Sequence, residues 1–158
     1  MRATRAAAGV VAVVAAFGTT EAAAAPLTEP EREVLVFLDI SRVVSAPEGE
    51  PRPGDTYVFA NILRHPDRSD AVTRQFFGRF PSACTVVLGT RAECEGTLEL
   101  RDGTIAVEGS PDLTATPIDM TVTGGTGRYA TVTGWAQLAA TDHPGTHRLT
   151  VVLERAWS

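Results

Sequence analysis

The chain contains no lysine; its 14 strongly basic residues are all arginines. They are scattered rather than clustered, which argues against a nucleic-acid-binding surface. Net charge is −5. Asparagine occurs once, at Asn61, and cysteine twice, at Cys84 and Cys94. The three histidines, His65, His143 and His147, lie in turn-rich contexts with no cysteine at metal-ligand spacing. His143 and His147 are four residues apart, a spacing that binds zinc on a helix, but the intervening Pro144-Gly145 forbids a helix. No metal or cofactor is therefore expected. Beyond the first 25 residues there is no long apolar run, so nothing there is a candidate transmembrane helix. There is no internal repeat.

The first residues read as an export signal. Arg2 and Arg5 form a basic start, Ala6 to Phe17 is apolar but short for a membrane span, and Gly18 to Ala25 is built of small residues. Proline after the scissile bond is poorly accepted, so cleavage is expected after Ala24, not between Ala25 and Pro26. The expected organisation is a signal peptide over 1–24, then an N-terminal segment over 25–53 with the first strand and a proline-rich loop. Residues 54–158 form the remainder of the same single domain, which is exported.

Short β-like segments follow, at 34–40, 56–64, 71–79, 82–88, 92–101, 104–109, 115–123, 128–139 and 147–156. Turn signals separate most of them, of which Asp102-Gly103 is the strongest hairpin signal because both positions tolerate φ > 0. Gly124-Gly125-Thr126-Gly127 reads as a sharp strand-to-strand reversal. It is not a phosphate cradle: no Lys-Ser/Thr pair follows it and the next segment reads as a strand. In 92–101, Cys94, Gly96, Leu98 and Leu100 share one face and Glu93, Glu95, Thr97 and Glu99 the other, one buried and one wet. In 82–88, Cys84, Val86 and Leu88 align. The pattern is all-β, an antiparallel sandwich or barrel, and a closed barrel of about eight strands can hold one small ligand.

Four positions are candidates for chemistry. Cys84 and Cys94 lie on adjacent strands and both face inward by parity. This suits a cross-strand disulfide in an exported protein, worth roughly 2–3 kcal/mol on the chain-entropy view; the alternative is a free thiol at Cys84. Asn61, inside the apolar run Tyr57 to Leu63, shares a face with Tyr57 and Phe59. Its amide is either a polar group of a pocket or a structural one satisfied by a neighbouring loop. Asp39 interrupts an apolar run and is either a buried acid or base with a raised pKa or, the favoured reading, a strand end facing solvent. His65, before Pro66, reads as a turn residue.

Taken in order, these segments resemble a known family. Gly54-Asp55-Thr56-Tyr57-Val58-Phe59-Ala60-Asn61, Ser82-Ala83-Cys84, Asp102-Gly103-Thr104-Ile105-Ala106-Val107-Glu108-Gly109 and Val122-Thr123-Gly124-Gly125-Thr126-Gly127 are similar to strands and a turn of plant allene oxide cyclases. The glycine turn is also similar to that of dirigent proteins, as is Phe37-Leu38-Asp39-Ile40 to their first strand, although the histidine before the aspartate is missing. The resemblance spans about residues 54 to 140. It implies an eight-stranded antiparallel calycin-like barrel and a homotrimer. It also implies a lumen lined by Tyr57, Phe59, Asn61 and Cys84, in which a small apolar intermediate closes or couples with one stereochemistry. Asn61 would hold an oxygen, directly or through water, and Cys84 would be a thiol beside the substrate. Two departures stand: the first strand lacks the cyclases' Glu-x-Asn pair, and Cys94 has no counterpart in them. Two functions remain open. One is an isomerase-like or dirigent-like barrel, working without a cofactor. The other is a non-catalytic secreted barrel whose lumen is filled by its own side chains.

Overall fold

In the computed structural model, residues 31–66 and 76–155 are described. The expected export signal, over 1–24, lies outside them, as do residues 67–75 and 156–158. The strands are β1 (Glu31–Ile40), β2 (Val43–Ser45), β3 (Thr56–Arg64), β4 (Phe76–Leu88), β5 (Arg91–Leu100), β6 (Gly103–Gly109), β7 (Ile118–Gly125), β8 (Thr133–Ala140) and β9 (Thr146–Arg155), with a 3-10 turn at Gly127–Tyr129 before β8. From β3 to β9 each strand pairs antiparallel with the next. β1 closes the sheet: it pairs along its whole length with β9, from Glu31–Arg155 to Ile40–Thr146, and at its far end with β3, from Leu38–Arg64 to Ile40–Ile62. The result is a closed eight-stranded antiparallel barrel, with β2 as an extra short strand along β3 at Val43–Phe59. Closure leaves no long unpaired edge.

Alternation decides what lies inside. Leu98 pairs with Ile105, and both are fully buried with Val107, Val122, Leu149, Val151 and Leu153. This core fills the end of the barrel where the β5–β6 hairpin and the β7–β8 connection lie. The connection itself closes that end by inserting Tyr129 and Val132 beneath the strands, 5% and 1% exposed.

Four details differ from the sequence reading. The described part of the expected segment 71–79, residues 76–79, is not separate from 82–88; Phe76–Leu88 is one strand, continuous through Pro81, and residues 71–75 lie outside the described residues. The β4–β5 pairing passes from Arg79–Glu99 to Ser82–Gly96, so Pro81, which has no N–H, sits where the ladder records no pair. Leu88 is exposed, because a bulge between Val86 and Leu88 breaks the inward parity. The two-residue hairpin loop is Arg101-Asp102, one position earlier than expected, with Gly103 opening β6 at φ 146°. Finally, the glycine segment is no tight reversal: β7 runs through Gly125, and strand resumes only at Thr133. Its glycines serve close approach. A Cβ at Gly103 would strike the Thr126 carbonyl oxygen, and one at Gly127 that of Asp102. The chain segments held together this way exchange Arg128 N–H to Asp102 O at 2.9 Å and Thr126 N–H to Thr104 O at 2.9 Å.

Candidate functional site

At the other end of the barrel the inward side chains leave space between them, and a cavity of about 410 Å³ opens. β3 supplies Tyr57, Phe59 and Asn61, and β4 supplies Phe80, Ser82 and Cys84. Cys94 comes from β5, Ile118 and Met120 from β7, Leu138 from β8 and His147 from β9, with Ser41, Pro51 and Leu113 at the rim. These walls are mainly apolar with few polar groups, the usual make-up of a small-molecule site. A larger hollow of about 590 Å³, lined by Thr85, Glu93, Glu95, Glu108 and Thr121, lies on the outward face of β4–β7. It is more open, and none of the candidate residues except Cys94 borders it.

Cys84 and Cys94 are directly opposed in the β4–β5 register and joined by a disulfide, with Cα atoms 4.0 Å apart. The bond forms part of the cavity wall. Cys84 is therefore not a free thiol, and the role of the matching cysteine in the plant cyclases does not carry over.

The polar groups gather on the floor. Asp39, expected to face solvent, is fully buried. It continues the inward parity of Leu35 and Phe37, and Asn61 gives it a partner: Nδ2 donates to Asp39 Oδ2 at 2.9 Å. The Asn61 Oδ1 accepts the backbone N–H of Arg42 at 3.0 Å. The single asparagine therefore ties the end of β1 to β3 while also bordering the cavity. Burial pushes the Asp39 carboxyl up to about 7 from 3.8, with the Asn61 hydrogen bond opposing the shift.

His147 joins this group and was not foreseen. It pairs with Asp39 across β1–β9, so both side chains fall on the same inward face. Its Nδ1 lies 3.8 Å from Asp39 Oδ2. Burial lowers the imidazole below its usual 6.5, with no charge partner among the causes. The contact is thus an approach of two groups whose charged forms burial disfavours, at a separation longer than a hydrogen bond. The signal in the sequence was the alternation His147, Leu149, Val151, Leu153, which extends the inward face of β9 to the histidine. His65 is not isolated in its turn: its ring lies 5.8 Å from that of Phe77.

No family model matches the chain, and no curated protein matches it. Solved structures do. A pyocyanin demethylase is 24% identical with a TM-score of 0.64, over 77% of this chain and 99% of its own. The pterocarpan synthase dirigent protein PsPTS1 is 18% identical with a TM-score of 0.61, over 82% and 99%. The Diels-Alderase AbmU from Streptomyces koyangensis is 17% identical with a TM-score of 0.61, over 80% and 70%. At these identities the likeness shows the fold: the chain has the barrel of dirigent proteins and cyclases, as the resemblance to the allene oxide cyclase and dirigent barrels implied. Among the described residues, no helix is long and apolar enough to cross a membrane.

Proposed function

We propose that this is an exported barrel that takes one small, mainly apolar, reactive molecule into its mouth cavity and steers that molecule's ring closure or coupling by shape, without a cofactor. The observation that carries the reading is the 410 Å³ cavity, whose apolar walls converge on Asn61 and His147 with Asp39 behind them. A cavity of this kind holds a reactive molecule in one conformation, so that one product geometry is favoured. The buried acid with its raised pKa adds a group suited to proton chemistry in a cleft. The fold likeness supports the same class, since the neighbours include a dirigent protein and a Diels-Alderase. Assembly as a homotrimer belongs to the same proposal.

One observation favours binding without catalysis. Asn61 already spends its oxygen on Arg42 N–H and one amide hydrogen on Asp39, which leaves a single N–H for a ligand.

Native mass spectrometry of the protein purified from its own producer tests the proposal, reading assembly mass and any retained molecule together. A retained apolar molecule that is released unchanged supports the binding reading; one released as a cyclised or coupled product supports the proposal. Asn61→Leu separates the roles of the amide. It leaves Arg42 N–H without its acceptor, so we expect a loss of about 1–3 kcal/mol in a urea melt without ligand. An unchanged melt with lost ligand retention would instead assign the amide to the ligand alone.

A further inference from the structure

Two polar atoms at and behind the floor of the mouth cavity lack hydrogen-bond partners, one on each member of the Asp39–His147 pair, whose near approach is His147 Nδ1 to Asp39 Oδ2 at 3.8 Å. Asp39 Oδ1 and His147 Nδ1 are both sealed from solvent and unpartnered. An orphaned polar atom in a protein interior is costly and calls for an explanation. Asp39 has no exposed surface, and its other oxygen already accepts from Asn61. It does not border the cavity. His147 does: its side chain is 32% exposed and forms part of the wall. Because the buried Nδ1 lies toward Asp39, Nε2 is the nitrogen left for a bound molecule. The order from the inside out is carboxyl, imidazole, cavity.

We propose that His147 donates a proton to the molecule bound in the mouth cavity, that Asp39 is the positioning residue that resupplies it, and that the cavity selects apolar molecules bearing one proton-accepting nitrogen or oxygen. This rests on the cavity being a ligand site. The step is a relay. The N–H bond at His147 Nε2 breaks as that hydrogen bonds to the acceptor atom of the ligand, while Nδ1 takes the proton of the Asp39 carboxyl. The imidazole is neutral before and after. What remains is a protonated ligand and an Asp39 carboxylate held by the Asn61 amide.

Burial prepares the starting state, since it disfavours charge on both members. On the cavity wall, β3 adds Tyr57 as its one titratable side chain, β4 adds Phe80 and Ser82, and β8 adds Leu138. Glu95 of β5 is the one carboxylate on the wall itself. Arg42 engages Asn61 through its backbone N–H.

The test compares acridine, whose emission changes when its ring nitrogen is protonated, with anthracene, which has the same three-ring shape and no nitrogen. Both are titrated into the full exported protein at pH 7, where free acridine is neutral. We expect acridine to bind about tenfold more tightly, as one added hydrogen bond to a charged group allows, and to emit as acridinium when bound. His147→Phe should equalise the two affinities and abolish acridinium emission. His147→Gln, which keeps a polar side chain but cannot relay a proton, should also abolish that emission, and serves if the phenylalanine variant does not fold. Asp39→Asn should keep acridine bound through Nε2–H yet lose the acridinium signal, which a purely structural role would not predict. Equal binding of both probes, with acridine emitting as the neutral molecule, overturns the relay and leaves the cavity reading standing. Binding of neither removes both.

Discussion

The two ends of the barrel are built from the same strands in the same alternation, yet they do opposite things. At the closed end, inward positions carry Leu98, Ile105, Val122 and Leu153, and Tyr129 and Val132 seal the bottom. At the mouth, the same strand faces carry Ser82, a disulfide, Asn61 and His147, and space is left over. A barrel of eight strands is just wide enough for its side chains to fill it. Whether it stores a core or a cavity thus depends on residue volume at a few inward positions. The closed end stabilises the scaffold, and the open end can carry polar groups at a cost that the scaffold absorbs.

The sharpest way to break this contrast is to remove volume at the closed end. Leu98 has no exposed surface. Leu98→Ala should leave a void in a packed region and cost about 2–5 kcal/mol, read as a shift of the urea midpoint. A loss below 1 kcal/mol would mean that this end is loosely filled.

Next in size is Asp39. Its folded pKa, about 7, lies above the ordinary 3.8. Between these values the folded protein keeps a proton that the unfolded chain has released, so stability is greatest in acid and falls as pH rises through that window. The full difference is on the order of 4 kcal/mol for a shift of this size. His147 acts in the opposite sense: its lowered pKa means that stability falls as pH drops below 6.5. Asp39→Asn keeps an acceptor for the Asn61 amide and removes the carboxyl titration. It should therefore match wild type near pH 4 and exceed it at pH 8, measured by urea unfolding at both values. A constant difference across that range would show that Asp39 is ionised throughout. The disulfide comes third. Replacing both cysteines with serine opens a ten-residue loop and should cost about 2–3 kcal/mol, with an effect on ligand retention as well, since the bond is part of the cavity wall.

These expectations show which features the sequence made legible. Period-two alternation and turn residues marked nearly every strand, because a barrel wall has one dry and one wet face. Cys84 and Cys94 could be paired from parity because their strands are consecutive and their hairpin is short. The strand Phe76–Leu88 was divided in the sequence reading because its continuity through Pro81 depends on which ladder positions go unpaired, and only the assembled sheet shows that. The 3-10 turn was missed because segment 128–139 was read as strand from Arg128 onward; only the barrel gives Tyr129 an interior to fill. Asp39 and His147 were the hardest. They are 108 residues apart in the chain and meet only because β1 closes the barrel against β9. Without that closure an aspartate near a strand end reads as solvent-facing, and a histidine after Pro-Gly reads as part of a turn.

The smallest expected effect is also the one that tests the contrast most directly. Phe59 faces the mouth and is only partly buried. Phe59→Ala removes a larger side chain than Leu98→Ala does. Yet it enlarges a space already open to solvent instead of creating a sealed void, so the cavity penalty that dominates at Leu98 is absent. What remains is the transfer of a partly exposed ring and a weaker strand former, about 1 kcal/mol. Urea unfolding of the two variants side by side, without ligand, measures the difference. Retention of a bound molecule should change in the reverse order, lost in Phe59→Ala and kept in whatever fraction of Leu98→Ala is folded. If Phe59→Ala cost as much as Leu98→Ala, the mouth would be packed in solution as tightly as the closed end, and the barrel would be a filled scaffold with no room for a ligand.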